Sequence, residues 1–326
     1  MRYFNAVKRI LTGSLLITLA ASVAAQQAYP EKPIHFITPY APGGTTTPLA
    51  RLVGQKLSES WGQPVIVENR PGAGTMIGTD VVAKAAPDGY TMLLAGGSLC
   101  LVPLLLKAPY DPIKDLAPVA TFARTEFVLV VSSKLPVNNI KELIAYAKAR
   151  PGQLNYATPG AGGSQHVAHE LLNLVAGIKT LHVPYKGASP ALTDLLGGQV
   201  QMYFSTTLTA IPHIKSGRIK AMGITGRSRL AGLPEVPTFD EAGLPGLDQI
   251  GTWFGVAMPA GTPKEIIHKM SADIGKYSTM PDFKEFLANQ GLSTFYSDTD
   301  QFAAQLQADL ERFNRIIKAA NIKIEN

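Results

Sequence analysis

Thr38–Pro48 reads TPYAPGGTTTP and connects a short apolar segment, Ile34–Ile37, to a helical pattern of apolar residues. The glycines Gly43–Gly44 allow a tight backbone bend, and Thr47–Pro48 is typical of a helix start, with a hydroxyl N-cap and then proline. A strand, a glycine turn and a helix N-terminus in succession form an anion site that needs no lysine or arginine. The stretch therefore predicts an α/β unit that binds an anion.

Residues 1–25 have the features of a secretory signal peptide. Basic residues precede an apolar run over Ile10–Ala21, and small residues follow up to Ala25. The run is too short to span a bilayer. We therefore expect cleavage near Ala25 and an exported mature chain without a membrane anchor.

The charge and cysteine content argue against several classes of protein. Without Arg2, Lys8 and Arg9 the formal net charge falls from +6 to +3, and the remaining basic residues are scattered, which gives nucleic-acid binding little support. Cys100 is the single cysteine, so no internal disulfide can form, and its apolar neighbours favour a buried thiol. A mature chain of about 300 residues predicts two domains.

Segments typical of strands alternate with helical patterns along most of the chain. Strands are predicted at Ile34–Ile37, Val65–Glu68, Thr91–Leu94, Phe127–Val131, Leu154–Ala157, Leu181–Pro184, Gln201–Phe204, Ile219–Ile224 and Trp253–Met258. This alternation favours an α/β fold with mainly parallel sheets. Beyond Thr262–Pro263, which resembles a helix start, the pattern predicts two closing helices and no further strand, with the tail packed on the first domain.

Three further segments repeat the arrangement of a strand, a glycine loop and a helix. The loops are Asn69–Thr75, Thr158–Ser164 and Tyr185–Ser189. Ligands of open α/β sheets bind beyond the carboxyl ends of the strands, where such loops lie. Early and late loops that face each other would enclose a small anion in a cleft between two domains.

Three motifs partly match those of cofactor-binding, metal-binding or hydrolytic proteins. In Gly72–Gly74 the third glycine of a dinucleotide fingerprint comes one residue too late, so no cofactor is expected. His166 and His169 lie one helical turn apart, but no carboxylate or cysteine completes a metal-ligand set at the usual spacing. Ser98 lacks the closing glycine of a nucleophile elbow, so a secreted α/β hydrolase is the alternative rather than the preferred reading.

The chain resembles the periplasmic substrate-binding proteins of tripartite tricarboxylate transporters, the Bug-type receptors, over about residues 33–322. The motifs that carry the resemblance are Pro42–Gly44, Val67–Gly74, Ala86–Thr91, Pro109–Pro112, His182–Gly187, Pro212–Ile214, Leu233–Thr238 and Ala260–Pro263. The resemblance implies a type II periplasmic binding protein, with two α/β lobes, a ligand cleft between them and a hinge of two chain crossings. We expect lobe one at 29–125 and 253–326 and lobe two at 126–252.

The resemblance also implies function. It predicts a monomeric periplasmic receptor without catalysis or metal, which binds a small di- or tricarboxylate and delivers it to the membrane subunits of a tripartite transporter. A sensory protein that docks on a receptor kinase is a second alternative. Citrate-like acids, short aliphatic dicarboxylates and aromatic dicarboxylates such as terephthalate all remain open as ligands. Tyr40 and Met202–Phe204 could offer an apolar wall to a ring, but the alternation of side chains along a strand should bury half of them in the core.

Backbone N–H groups of Ala41–Thr46 and Gly160–Ser164, with nearby hydroxyls, are expected to hold the carboxylates. The full set of predicted ligand-binding residues is Tyr40, Ala41, Gly43, Gly44, Thr45, Thr46, Thr47, Ser98, Thr158, Gly160, Gly162, Gly163, Ser164, Tyr185 and Ser205. Thr47 and Ser205 stand where the family commonly has aspartate. Because burying an unpaired ammonium is costly, a cleft without those carboxylates favours dicarboxylates over amino acids.

Overall fold

The computed structural model describes residues 29–230, 232–319 and 321–322. The predicted signal peptide lies outside these residues. No helix within the described ranges is both long enough and apolar enough to cross a membrane.

Ten strands and ten α-helices alternate through most of the described chain. The strands are β1 Ile34–Thr38, β2 Val65–Asn69, β3 Thr91–Gly96, β4 Leu116–Ser132, β5 Asn155–Thr158, β6 Leu181–Pro184, β7 Met202–Thr206, β8 Ile219–Ile224, β9 Gly251–Pro259 and β10 Ser293–Ser297. The helices are α1 Thr46–Trp61, α2 Met76–Ala83, α3 Ser98–Leu105, α4 Ile140–Lys148, α5 Ser164–Ala176, α6 Ala188–Gly197, α7 Thr207–Lys215, α8 Lys264–Thr279, α9 Pro281–Asn289 and α10 Thr299–Ala319.

The long strand β4 joins two groups of strands. Its first part, Leu116–Glu126, pairs with β9, and β10 pairs with the same part. Its second part, Phe127–Ser132, pairs with β7 and β8. One group therefore runs β2-β1-β3-β9-β4-β10, and the other joins β8 and β7 to β4 and continues to β5 and β6.

This arrangement confirms the α/β fold of two lobes but not mainly parallel sheets. Strands β1, β2 and β3 pair in parallel, as do β5, β6 and β7. The pairings of β4 and β9 are all antiparallel, because these strands carry the chain between the two groups. A strand buried on both faces looks alike in either direction, so its sequence does not reveal the direction. The expected lobe boundaries at 125/126 and 252/253 stay a prediction.

The helix starts differ from the predicted ones by one or two residues. The dipeptide Ser189–Pro190, like Thr47–Pro48, predicts proline at the first helical position. Helix α1 begins at Thr46, and α6 begins at Ala188, so Pro48 and Pro190 each occupy the third position instead. The first N–H groups of a helix have no intrahelical acceptor, so proline there costs no hydrogen bond. Thr262, predicted as a cap, instead donates its hydroxyl to the Pro259 carbonyl at 2.7 Å.

The C-terminal tail contains three helices and one strand instead of the two helices expected. Strand β10 was missed because only one of its five residues is buried, which leaves no alternating apolar pattern. Helix α10 buries Phe302, Leu306 and Phe313, which recur in the sequence at the spacing of one face of a helix. It packs against α3 and β4, next to the strands of the first group.

Candidate functional site

A small cavity lies where loops of the two strand groups meet. Its volume is about 40 Å³. Its walls are formed by Tyr40, Ala41, Gly44, Thr45, Thr46, Gly96, Pro159, Ser164, Gln165, Ala188, Thr206, Thr252 and Phe254. No residue of this lining carries a formal charge, and five of its side chains end in a Thr or Ser hydroxyl.

The first turns of α1 and α5 both reach this cavity. Thr46 is the first residue of α1, and Ser164 is the first residue of α5. Helix N-termini carry partial positive charge and free N–H donors, so two of them at one cavity favour an anion.

One hydroxyl in the cavity is left without a partner. Thr46 is 8% exposed, and its Oγ1 has no hydrogen-bond partner in the structure. Buried hydroxyls are normally paired, and leaving one unpaired costs about 1–3 kcal/mol. A ligand oxygen in the cavity would supply the missing acceptor.

The two lobes touch directly around the cavity. The Ala41 N–H donates to the Lys186 carbonyl at 3.2 Å, and the Ser189 hydroxyl donates to the Pro42 carbonyl at 3.4 Å. A β-carbon added to Gly44 would lie 3.2 Å from the Ala188 side chain. The cleft is therefore closed, and the Ala41 N–H, predicted to face a ligand, already has an acceptor.

Hydrogen bonds behind the first loop fix its shape. The Asn69 side-chain amide donates to Thr38 Oγ1 at 2.6 Å, to the Tyr40 carbonyl at 2.8 Å and to Thr47 Oγ1 at 2.9 Å. The Tyr40 hydroxyl lies 2.8 Å from Ser98 Oγ. Burial raises the pKa of Tyr40, so this phenol stays neutral and can donate a hydrogen bond.

The structure brings six of the predicted ligand residues to the cavity wall: Tyr40, Ala41, Gly44, Thr45, Thr46 and Ser164. Gly43 and Thr47 line a separate groove of about 520 Å³, which Gly44 also borders. Thr158 bonds the Gly160 carbonyl, and the Gly162 N–H donates to His166 Nδ1 at 3.2 Å.

The remaining predicted residues lie outside the cavity lining. Gly163 precedes α5 as its N-cap residue. The Tyr185 hydroxyl donates to Asp194 Oδ2 at 2.6 Å. Ser205 is fully buried and donates to the Thr206 carbonyl at 3.1 Å. A direct ligand contact by these residues stays a prediction.

The proposed aromatic wall is only partly present. Met202, Tyr203 and Phe204 are all fully buried within hydrophobic clusters. Tyr40 does line the cavity, and Phe254, which sequence reasoning did not select, lines it too.

Sequence reasoning missed further residues of the wall. Pro159 and Ala188 lie in loops that the glycine pattern had already singled out, so that pattern could have found them. Thr206 and Thr252 come from strands that approach the cavity only through the tertiary fold, and no local pattern marks them.

Three histidines stack beneath the loop Thr158–Ser164. The His166 and His182 rings are 4.0 Å apart, and Tyr156 stacks on His169 at 4.1 Å and on His182 at 5.0 Å. Burial lowers the pKa of His166 to about 3 and that of His182 to about 4, and it also lowers the pKa of His169. The rings are therefore neutral and accept hydrogen bonds from the chain around the cleft.

No group of three or more metal-ligating side chains forms a metal site within the residues that the structure describes. His166 and His169 instead use ring nitrogens to accept the N–H groups of Gly162 and Phe204. Ser98, the candidate nucleophile, pairs with Tyr40 rather than with a histidine. The described geometry gives the hydrolase alternative no supporting contact.

Known proteins are similar to this chain in both sequence and fold. Residues 49–322 match the model of the "Tripartite tricarboxylate transporter family receptor". The solved periplasmic binding protein BugD is 32% identical, with a TM-score of 0.86 over 91% of this chain and 100% of that one. An R. palustris protein solved with adipate is 31% identical, with a TM-score of 0.87 over 90% of this chain and 99% of that one.

A third structure, MatC from Rhodopseudomonas palustris with bound malate, is 30% identical, with a TM-score of 0.84 over 89% of this chain and 100% of that one. The family model and these structures each span most of the chain, so the likeness covers both strand groups and the cleft between them. The chain belongs to the receptor family of the tripartite tricarboxylate transporters and has the fold of a type II periplasmic binding protein.

Proposed function

We propose that this protein is a periplasmic receptor that binds a small dicarboxylate in the cavity between its lobes and delivers it to a transporter of the tripartite type. The observation that carries the proposal is the unpartnered, buried Thr46 hydroxyl at a cavity where two helix N-termini meet. The relatives solved with adipate and malate add support from the same fold.

The cavity wall offers both polar and apolar contacts to a small carboxylate. Thr46 and Ser164 supply hydroxyls, and Tyr40 and Phe254 provide apolar surface. A carboxylate beside Thr46 and Ser164 would receive O–H and N–H donors without a cationic side chain. This set of donors and apolar walls supports ligand binding rather than enzymatic turnover, because it holds a ligand without activating a nucleophile.

A thermal-shift screen tests the ligand class. Adipate, malate, citrate, terephthalate, monocarboxylates and acidic amino acids are added separately to the purified protein. A ligand at 100 times its dissociation constant adds about 2.7 kcal/mol to the free energy of unfolding, which gives a clear rise in Tm. We expect the largest rise with a short dicarboxylate.

Two valine variants locate the binding site. Thr46→Val removes the unpartnered hydroxyl and should reduce the rise in Tm. Thr279→Val is a matched control, because this exposed threonine bonds only within its own helix, to the Lys276 carbonyl. No rise with any carboxylate would refute the proposed ligand class, and an undiminished rise in Thr46→Val would place the site elsewhere.

A further inference from the structure

Two threonines at helix starts face each other across the cleft. Thr45 directly precedes α1, and Thr206 directly precedes α7. A hydroxyl at this position usually caps its own helix, but neither side chain makes a cap hydrogen bond. Their Oγ1 atoms instead lie 2.7 Å apart, although 161 positions separate the two residues.

The backbone angles explain in part why neither hydroxyl caps its own helix. Thr45 has helical angles, φ −63° and ψ −32°, whereas a capping residue normally has extended ones. Its side chain therefore does not turn back on its own helix. Thr206 has extended angles, φ −68° and ψ 153°, and its hydroxyl bonds Thr209 Oγ1 at 2.7 Å in place of a backbone N–H.

The three hydroxyls form a relay at the cavity. Thr45 and Thr206 are 5% and 6% exposed, and both line the cavity. Each hydroxyl has one donor and can accept as well. If Thr209 donates to Thr206 and Thr206 donates to Thr45, the Thr45 hydroxyl remains free to donate into the cavity. A bound carboxylate would fix that direction and strengthen the relay.

The Thr45–Thr206 hydrogen bond, at 2.7 Å, is shorter than the other two contacts between the lobes described above. The contact of Ala41 with Lys186 is 3.2 Å long, and that of Ser189 with Pro42 is 3.4 Å long. Neutral hydrogen bonds between hydroxyls are most favourable near 2.7–2.8 Å. Buried from water, the threonine pair needs no ligand to bridge the lobes.

We propose that Thr45 and Thr206 form a latch that holds part of the unliganded protein in the closed form and thereby raises the affinity for the ligand. This inference deepens the proposed function and rests on it for the ligand, but the latch acts without one. When only the closed form binds, the apparent affinity equals the intrinsic affinity multiplied by the fraction of unliganded molecules that are closed. A larger closed fraction therefore gives a higher affinity for the ligand.

The test measures the ratio of closed to open protein without ligand. Cysteines replace two exposed residues, Ser133 after β4 in the second strand group and Lys264 after β9 in the first. Spin labels on these cysteines give a distance distribution that resolves the closed and open forms. Cys100 has no exposed surface and stays unlabelled. Loss of one hydrogen bond in Thr206→Val or Thr45→Val should lower the ratio by about threefold to tenfold.

Control variants separate the latch from a general loss of packing. Thr206→Ser keeps the hydroxyl and should stay within about twofold of the unmodified protein, and Thr279→Val should not change the ratio. The double variant of Thr45 and Thr206 should fall no further than either single one, because both remove the same bond. The dissociation constant of Thr206→Val for adipate or malate should rise by the factor by which the closed fraction of the unliganded protein falls.

The outcomes distinguish the latch from the ligand proposal. A reduced ratio in the valine variants supports the latch even if neither adipate nor malate binds, in which case only the proposed ligand class fails. An unchanged ratio in both valine variants, or an unliganded protein with no detectable closed form, overturns the latch.

Discussion

Gly74 lies where the loop after β2 meets the opposite lobe. A β-carbon on this residue would collide with the carbonyl oxygen of Ala161, and its φ of +65° is in the left-handed region that favours glycine. The sequence marked Gly72–Gly74 as a glycine turn, but it did not show that the turn touches a loop from the other lobe. Contacts of this kind depend on tertiary packing, which local sequence patterns do not encode.

The variant Gly74→Ala should impair closure. The added methyl group must displace the backbone of Ala161, so the lobes cannot approach as closely. We expect at least about a tenfold loss of carboxylate affinity, or about 1.4 kcal/mol of binding free energy. Calorimetric titration with the best ligand from the thermal-shift screen measures this loss.

Gly152→Ala provides the matched control for this substitution. Gly152 has a similar φ of +73°, but a β-carbon there would meet nothing within 4 Å. Both variants should lose about 1 kcal/mol of stability through the strained backbone. Equal ligand affinities in the two variants would show that the approach of Gly74 to Ala161 does not matter for closure.

Helix α5 and the strands next to it support the loop Thr158–Ser164. The glycine loop and the helix after it were predicted from sequence, and α5 begins at Ser164 as that pattern suggests. The sequence offers no complete metal-ligand set around His166 and His169, and the structure shows both rings in a stack with Tyr156 and His182. Only the sheet pairing of β5 and β6 brings His182 to α5.

The histidine stack should make stability depend on pH. Burial lowers the pKa of His166 to about 3 and of His182 to about 4, below the usual value of about 6.5 in an unfolded chain. Between these values the unfolded chain binds protons that the folded chain does not, so the free energy of unfolding falls as pH falls. We expect a plateau above about pH 6.5 and a loss of at most about 1.4 kcal/mol per histidine for each pH unit below it.

Scanning calorimetry from pH 7 to pH 5 measures this slope in the unmodified protein and in His166→Asn. The asparagine keeps an acceptor for the Gly162 N–H but does not titrate, so the slope should be shallower. His268→Asn changes an exposed histidine on α8 and should leave the slope unaltered. A slope in His166→Asn that equals that of the unmodified protein would contradict this origin of the pH dependence.

The two α/β lobes and nearly every strand could be predicted from the sequence, because strand segments and glycine loops are local patterns. The sequence did not predict the length of β4 or the direction of β9, since both follow from how the lobes connect. The same limit affects the cavity: Thr45 and Ser164 came from loop patterns, whereas Thr206 reaches the cavity only through the packed fold.

Thr47 and Ser205, the positions used to predict ligand selectivity, do not line the cavity in the folded chain. Thr47 Oγ1 accepts from Asn69 outside the cavity, and Ser205 is fully buried. An aspartate at position 205 would bury a charge and mainly test stability. Gln165, which lines the cavity, is the better position for a new carboxylate.

Selectivity then follows from the cavity as a whole. None of its lining residues is acidic, and two helix N-termini point partial positive charge at it, so an ammonium group would lose its hydration without a partner. We expect dicarboxylates to bind at least about tenfold more tightly than aspartate or glutamate, a difference of about 1.4 kcal/mol. Calorimetric titration of each ligand measures it.

Gln165→Glu should reverse part of this preference. A glutamate of nearly the same shape at the cavity wall repels a second carboxylate and attracts an ammonium group, so dicarboxylate affinity should fall while that for glutamate rises. Gln307→Glu makes the same change in net charge at an exposed position on α10 and should alter neither affinity. If the unmodified protein binds glutamate more tightly than every dicarboxylate tested, the uncharged lining does not set the preference, and a hydrogen-bond acceptor outside it must hold the ammonium group.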